Sequence, residues 1–429
     1  MEGWRNWRWL AGAAAALCAC ILVPAIEAAA GSRPRHHSSS SHRTKASRAN
    51  TKASRTNTKA SRAKASRAKR APVYRGALLE DADTGKVLYE SNAGMQWPPA
   101  SMAKMMLLLV AQEQIDAGRF RLTDPVRISE RAATTGGSHV GLREGDVYPL
   151  GELMKAALIK SANDAAVAVA EKIAGSTEAC VRMMNRRAKS LGLTHTVYNT
   201  VDGLPPRPAQ DVDVTNAYDL ATLGRALIKN TDLLRWSGRE RALFDNGETL
   251  LRNTNHLVGH FEGCDGLKTG FTYQAGFNLT ATAKRGDMRL IAVVLGSPSN
   301  RERFRQAARL LEWGFDNFTR VAVVKRGEPL PVHVQVQDGP LIQPIAASEV
   351  KVVLPKDRTD NVRLEYDMPV LVSGPLPAGA QVGQVIVHDG KSVLTRVAAI
   401  CPMPVGNTER VLTGANEVNG YQGAAAVMP

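Results

Sequence analysis

The chain has 429 residues, 44% of them hydrophobic and 22% charged, which is enough to bury a large core and predicts two folded domains. Its net charge of +15 suggests a partner for anionic polymers, yet residues 32 to 71 hold 13 Lys or Arg and no Asp or Glu. Subtracting those 13 from +15 leaves +2 for everything else, which excludes a fold whose whole surface is basic.

The N-terminus reads MEGWRNWRWLAGAAAALCACILVPAIEAAAG. Arg5 and Arg8 precede an apolar run from Leu10 to about Ile26, and Ala28, Ala29 and Ala30 offer a small-residue cleavage site. Residues 1–30 therefore read as a secretory signal peptide. A retained membrane anchor is the alternative, since the run is almost long enough to span a bilayer. Of the five cysteines, Cys18 and Cys20 lie in this leader. Cys180, Cys264 and Cys401 remain, so at most one intrachain bridge can form in an oxidising compartment.

Residues 31–71 form a basic linker whose core repeats TKASRAN, TKASRTN, TKASRA and KASRAKR. Without large apolar side chains it cannot offset the entropy of ordering, and its like charges extend it. It reads as a disordered tether to an anionic wall polymer or phospholipid surface. Nucleic acid would suit the charge, but an exported protein seldom meets it, so no nucleic-acid partner is expected.

Order begins near Val73. YRGALLEDADTGKVLYES predicts strand, turn, strand, and PPAS leads into a helix, SMAKMMLLLVAQEQIDAG, whose first turns are apolar nearly all round. Residues 150 to 174 and 176 to 191 read as two helices parted by Gly175, and 214 to 230 as another. GFNLTATAKRGDMRLIAVVLG predicts a second hairpin turning at Arg285-Gly286-Asp287, followed by an amphipathic helix in SNRERFRQAARLLEWGF. A hairpin at each end with helices between them predicts an α/β (α+β) unit over 72–320. Its antiparallel sheet would take strands from both ends and carry an inserted helical lobe. From 321 to 405, short alternating runs such as PVHVQVQ, EVKVVLP, NVRLEYD and SVLTRVAAI predict a small all-β domain. Residues 406–429 read as a flexible tail with no basic amphipathic helix.

The pattern S-x-x-K occurs four times: Ser61 with Lys64, Ser66 with Lys69, Ser101 with Lys104, and Ser348 with Lys351. The first two are by-products of the repeat. Ser348 would begin a strand, where residues three apart face opposite sides. Only Ser101 and Lys104 fall at a helix start, where positions i and i+3 share a face and the helix end favours negative charge. An N-cap role alone would explain Ser101. Two further motifs change that: Ser161-Ala162-Asn163 and Lys268-Thr269-Gly270 each occur once, in order, at separations of 60 and 105 residues. His256, His260 and Cys264 are spaced as zinc ligands on a helix could be, but Asn253, Asn255, Gly259 and Gly263 argue for a loop, so no metal site and no cofactor are expected.

S-x-x-K, S-x-N and K-T-G together resemble the penicillin-binding proteins and class A β-lactamases. Within that superfamily, residues from about 73 to 400 resemble the low-molecular-mass D-alanyl-D-alanine carboxypeptidases. GGSHVGLREGD, KSLGLTHTVYNTVDGL, NTNHLVGHFEGCDGLKTGFT and the C-terminal β domain share in the likeness. The resemblance implies a β-lactamase/transpeptidase-like fold and a serine peptidase acting on peptidoglycan stem peptides and acylated by β-lactams. Ser101 would be the nucleophile and Lys104 its base, with a pKa lowered by burial and by nearby Lys268. Ser161 would relay a proton and Asn163 would clamp Lys104. Lys268 and Thr269 would hold the terminal carboxylate, Gly270 would let the substrate approach, and the N–H groups of Ser101 and Phe271 would bind the oxyanion. No E-x-x-L-N stands between Asn163 and Lys268, which argues against fast β-lactam hydrolysis. A DD-endopeptidase, or a wall-binding protein with an inactive catalytic domain, are the alternatives. The expected location is the periplasm or the outer face of the cell envelope.

Overall fold

The structure, a computed structural model, describes residues 73–204, 211–230 and 233–406. The leader, the basic repeat and the tail beyond Gly406 lie outside these residues.

The first hairpin pairs β1 (Gly76–Asp81) with β2 (Val87–Ser91). Asp81 shapes its turn by accepting from the backbone N–H and hydroxyl of Thr84 at 2.8 and 2.7 Å. After Pro98-Pro99 comes a 3₁₀ turn, Ala100–Ala103, which runs straight into α1 (Lys104–Asp116). Every residue of α1 from Lys104 to Gln112 is buried. That is the fate of a helix apolar on all sides: it becomes the centre of the core.

A small hairpin of β3 (Pro125–Arg127) and β4 (Val147–Pro149) flanks a short helix, α2 (Glu130–Ala133). The single helix expected over 150 to 174 is two: α3 (Leu150–Ile159) and α4 (Asn163–Ala174). Between them Ser161 takes a left-handed backbone at φ 65°. The chain can leave the helical path there because the freed groups find other partners. Asn163 donates its backbone N–H to the Ser138 carbonyl at 2.7 Å, and the Asp164 carboxylate accepts from the N–H groups of Val140, Gly141 and Leu142. Gly175 ends α4, and Ser176 caps α5 (Thr177–Ser190) by accepting from Ala179 N–H. The lobe continues with α6 (Ala217–Asn230), α7 (Leu233–Ser237) and a hairpin of β5 (Arg241–Phe244) and β6 (Thr249–Arg252).

The main sheet is antiparallel and ordered β2-β1-β9-β8-β7, with β7 (Cys264–Thr272), β8 (Gly276–Arg285) and β9 (Met288–Ser297). As expected, its strands come from both ends of the unit, and β9 pairs with β1. Alternation along each strand builds two cores. Leu78, Ile291 and Val293 face α1 and the helical lobe, while Leu79, Ala292 and Val294 face α8 (Asn300–Asn317) through Phe304, Ala307 and Leu311.

Beyond α8 the chain is strand and turn. β10 (Phe318–Val324) pairs with β11 (Val350–Pro355), and three-stranded and four-stranded sheets complete the region. Its own apolar clusters include Val324, Leu354, Val385 and Val397 in one and Val334, Val336 and Val405 in another. Val353 joins the α8-side core, and Lys86 Nζ donates to its carbonyl at 2.8 Å. Cys180, Cys264 and Cys401 are buried free thiols, and burial pushes the first two up to about 12 and about 11. Among the described residues no helix is long and apolar enough to cross a membrane.

Candidate active site

Three segments distant in sequence meet where the 3₁₀ turn enters α1. Ser101 lies on that turn, one turn before Lys104. Lys104 is 0% exposed. Its Nζ contacts Ser101 Oγ at 3.1 Å, Asn163 Oδ1 at 2.6 Å and the Asp202 carbonyl at 2.6 Å. None of these is a carboxylate. Burial pulls Lys104 down to about 8, against the weaker opposing pull of Asp202, Asp213 and Asp164.

Asn163 is fixed in turn, because its Nδ2 donates to the Gly136 carbonyl at 2.7 Å. The break at Ser161 that split the predicted helix is what aims Ser161 and Asn163 into the site. Ser161 Oγ accepts from Lys268 Nζ at 2.7 Å. Lys268 is 1% exposed and also donates to its neighbour's carbonyl on Thr269 at 3.0 Å. Burial first, then the charges of Lys104 and Arg303, hold Lys268 well below the ordinary lysine range. As expected, burial is the leading cause at Lys104.

Lys268, Thr269, Gly270 and Phe271 lie on β7, the edge strand of the main sheet. At Gly270 another segment of the chain itself comes close. A Cβ there would stand 2.4 Å from the Pro99 carbonyl and 3.2 Å from Met102, so the missing side chain admits the segment that carries Ser101. Gly203 does the same from the other side: a Cβ would lie 2.0 Å from the Ala100 carbonyl and 2.8 Å from Ser101 N, and its φ is 79°. Ala100 between them has φ 51°, a strained value for a residue with a side chain. Phe271 is 43% exposed and stacks on Phe277 at 4.2 Å.

Sequence reasoning missed several members of this site. Thr254 accepts the Thr269 hydroxyl at 2.8 Å, and its backbone N–H donates to Ile159 at the end of α3. The buried Arg303 of α8 donates to the carbonyls of Gly270 and Asn278 at 2.9 and 3.1 Å, tying β7 from behind. Asp202 and Gly136 act through backbone carbonyls, which no side-chain motif reveals. Thr254, Asp202 and Gly136 fall in the stretches NTNHL, NTVDGL and GGSHV already singled out. The histidine cluster is a loop: His256 stacks on Phe304 at 5.0 Å and His260 Nδ1 lies 3.2 Å from the Val258 carbonyl. No group of residues arranged to hold a metal occurs among the described residues.

The chain is similar to known proteins in sequence and in fold. The chain is 36% identical over 326 residues to the D-alanyl-D-alanine carboxypeptidase DacF of Bacillus subtilis, spanning 75% of this chain and 82% of that one. The structure superposes on penicillin binding protein 5 of Haemophilus influenzae with a TM-score of 0.69 and 28% identity, covering 78% of this chain and 98% of that one. Penicillin-Binding Protein D2 of Listeria monocytogenes, solved in an ampicillin-bound form, aligns with a TM-score of 0.53 and 28% identity over 57% of this chain and 98% of that one. Residues 62–299 match the profile of the S11 peptidases, described as D-alanyl-D-alanine carboxypeptidase, and the chain belongs to that family.

Proposed function

We propose that the protein is a serine-type D-Ala-D-Ala carboxypeptidase that removes the terminal D-alanine of peptidoglycan stem peptides through an acyl-enzyme on Ser101, and that penicillins acylate the same hydroxyl. Family membership supports the activity. The observation that carries the assignment of residues is the set of partners around Lys104. A neutral amine has two N–H donors and one lone pair. The Asp202 carbonyl and Asn163 Oδ1 can only accept, and at 2.6 Å each they take both donors. The lone pair is then left facing Ser101 Oγ at 3.1 Å. With a pKa of about 8, a useful fraction of Lys104 is neutral near pH 7.

In this reading Lys104 takes the Ser101 proton as Oγ attacks the carbonyl of the penultimate D-alanine. The N–H groups of Ser101 and Phe271 receive the oxyanion, and the proton on Lys104 reaches the departing nitrogen by way of Ser161, which leaves Lys104 neutral again. Water then attacks the ester, with Lys104 again as base. Lys268 and Thr269 hold the substrate's terminal carboxylate, whose negative charge beside Lys268 opposes the lowering that burial imposes on its pKa. The division into a peptidase unit ending near residue 320 and a C-terminal β unit belongs to the same proposal, as do export by residues 1–30 and tethering by residues 32–71. Acting on peptidoglycan implies an extracytoplasmic location.

The test is covalent labelling with a fluorescent penicillin, alongside release of free D-alanine from a pentapeptide. The wild type is expected to do both. Ser101→Ala is expected to do neither while keeping its fold, since one hydroxyl at a helix start is worth only about 0.5–2 kcal/mol. Persisting label on the alanine variant would assign the nucleophile elsewhere.

A further inference from the structure

The segment 199–204 reaches the site at two points. The Asp202 carbonyl accepts from Lys104 Nζ at 2.6 Å. Gly203 packs so closely that a Cβ there would lie 2.0 Å from the Ala100 carbonyl and 2.8 Å from Ser101 N. The segment thus touches both the base and the N–H that would receive the oxyanion, yet it is neither helix nor strand. One buried carboxylate fixes its shape. Asp213 stands just before α6 and is 4% exposed. Its Oδ1 accepts from the backbone N–H groups of Asn199 and Thr200 at 2.6 and 2.9 Å. Its Oδ2 accepts from the Thr200 hydroxyl at 2.7 Å, and Thr200 Oγ1 accepts in turn from the Gly203 N–H at 2.8 Å. The direction of this chain is forced. An ionised carboxylate only accepts, so the single proton of the Thr200 hydroxyl goes to Asp213 and its lone pair is left for Gly203. The base of the segment is pinned separately, where Val197 and Val214 each donate a backbone N–H to the other's carbonyl at 2.9 Å.

We propose that Asp213 is a positioning residue of the acyl-transfer site, acting through Thr200 on the segment that presents the Asp202 carbonyl to Lys104 and Gly203 to Ser101. The proposal rests on the acyl-transfer reading above. The three donors to Asp213 are neutral groups, so the carboxylate keeps a negative charge in a buried setting. Burial pushes Asp213 up to about 6, which leaves it ionised near pH 8, where Lys104 titrates. Among the described residues the titratable groups that share its field are Lys104, Asp202 and Tyr198. Only Lys104 becomes a cation, and Asp213 pulls its pKa upward against the stronger effect of burial. The same attraction favours the ammonium that forms when Lys104 takes the Ser101 proton. Hydrogen bonds and charge are separable. Thr200→Val removes the relaying hydroxyl and keeps both shape and carboxylate. Asp213→Asn removes the charge and keeps an oxygen for the two backbone N–H groups.

The experiment measures the second-order rate of penicillin acylation from pH 6 to 10, with a thermal melt, on the wild type, Thr200→Val, Thr200→Ser and Asp213→Asn. Thr200→Val is expected to lower the plateau rate by roughly 10-fold or more, with its midpoint still near the wild-type value of about 8. Thr200→Ser keeps the hydroxyl and is expected to stay within about 3-fold of the wild type. Asp213→Asn is expected to move the midpoint down by roughly half a pH unit or more, because the negative charge that opposes burial is gone. A wild-type plateau in Thr200→Val overturns the proposal, and so does an equal loss in Thr200→Val and Thr200→Ser. A melting temperature that falls while rate and midpoint stay put in Thr200→Val and Asp213→Asn shows a purely structural carboxylate and overturns it too. Should Asp213→Asn fail to fold, the two Thr200 variants decide alone. Normal acylation of the wild type with unaffected variants leaves the acyl-transfer reading standing, whereas a wild type that forms no acyl-enzyme overturns both.

Discussion

Two described regions carry the same spacing, Ser101 with Lys104 and Ser348 with Lys351, and the two lysines end in opposite states. Lys104 begins a buried helix with no carboxylate in contact, and burial lowers its pKa to about 8. Lys351 lies on β11 at the surface, 3.4 Å from Glu349 and 3.5 Å from Asp287, and these carboxylates raise its pKa. Ser348 lies before the strand starts and has no part in Lys351's contacts. The four-residue pattern is therefore not itself chemistry. A helical turn brings the serine and lysine together, and a dry wall with neutral hydrogen-bond partners lowers the lysine's pKa. The surface lysine has water and counter-charges instead, and stays an ordinary cation.

The comparison breaks most sharply if the charge is kept and the proton made permanent. Lys104→Arg should reduce the rate of penicillin acylation by roughly 100-fold or more, because a guanidinium does not deprotonate. Lys351→Arg should leave it unchanged. Near-normal acylation by the first variant would remove Lys104 from the mechanism.

A smaller effect sharpens the contrast between Lys104 and its buried neighbour. Lys268→Ala should lower kcat/KM on a peptide by roughly 10- to 150-fold, the worth of one charge-assisted hydrogen bond. Amidating the peptide's C-terminus should cost the wild type a similar factor and the variant much less. Equal penalties in both proteins would show that Lys268 does not read the carboxylate.

The smallest effect concerns the walls. Gly270→Ala should cost about 1–3 kcal/mol of stability and slow acylation, because its Cβ would press on the Pro99 carbonyl at 2.4 Å and displace Ser101. Unchanged thermal stability and rate would mean that the turn before α1 yields freely.

What the sequence displayed and what it hid follow the same division. The apolar run after Ser101 announced a central helix, and the two terminal hairpins announced a sheet built from both ends, because burial and alternation leave periodic marks. The break at Ser161 left only a faint one, polar residues interrupting an apolar helical stretch, and contacts with Ser138, Val140 and Gly141 stabilise the turn. The serine and the asparagine were legible as a motif, but the left-handed bend that aims them was not. Carbonyl acceptors from Asp202 and Gly136 were equally invisible, because every residue carries one. Gly270 was legible as a place of close approach, while the identity of the approaching chain needed the fold.

The claim at the centre of this account is that burial makes Lys104 a base with a pKa of about 8. Below that pH Lys104 is protonated and has no lone pair for Ser101, so the second-order rate of acylation by penicillin should rise with pH. The most direct test is that rate measured from pH 6 to 10 on the wild type. The account predicts a tenfold rise per pH unit at the acid end, a midpoint near 8 and a plateau above it. A profile that is flat from pH 6, or that keeps rising to the ordinary lysine range of about 10.4, would contradict it.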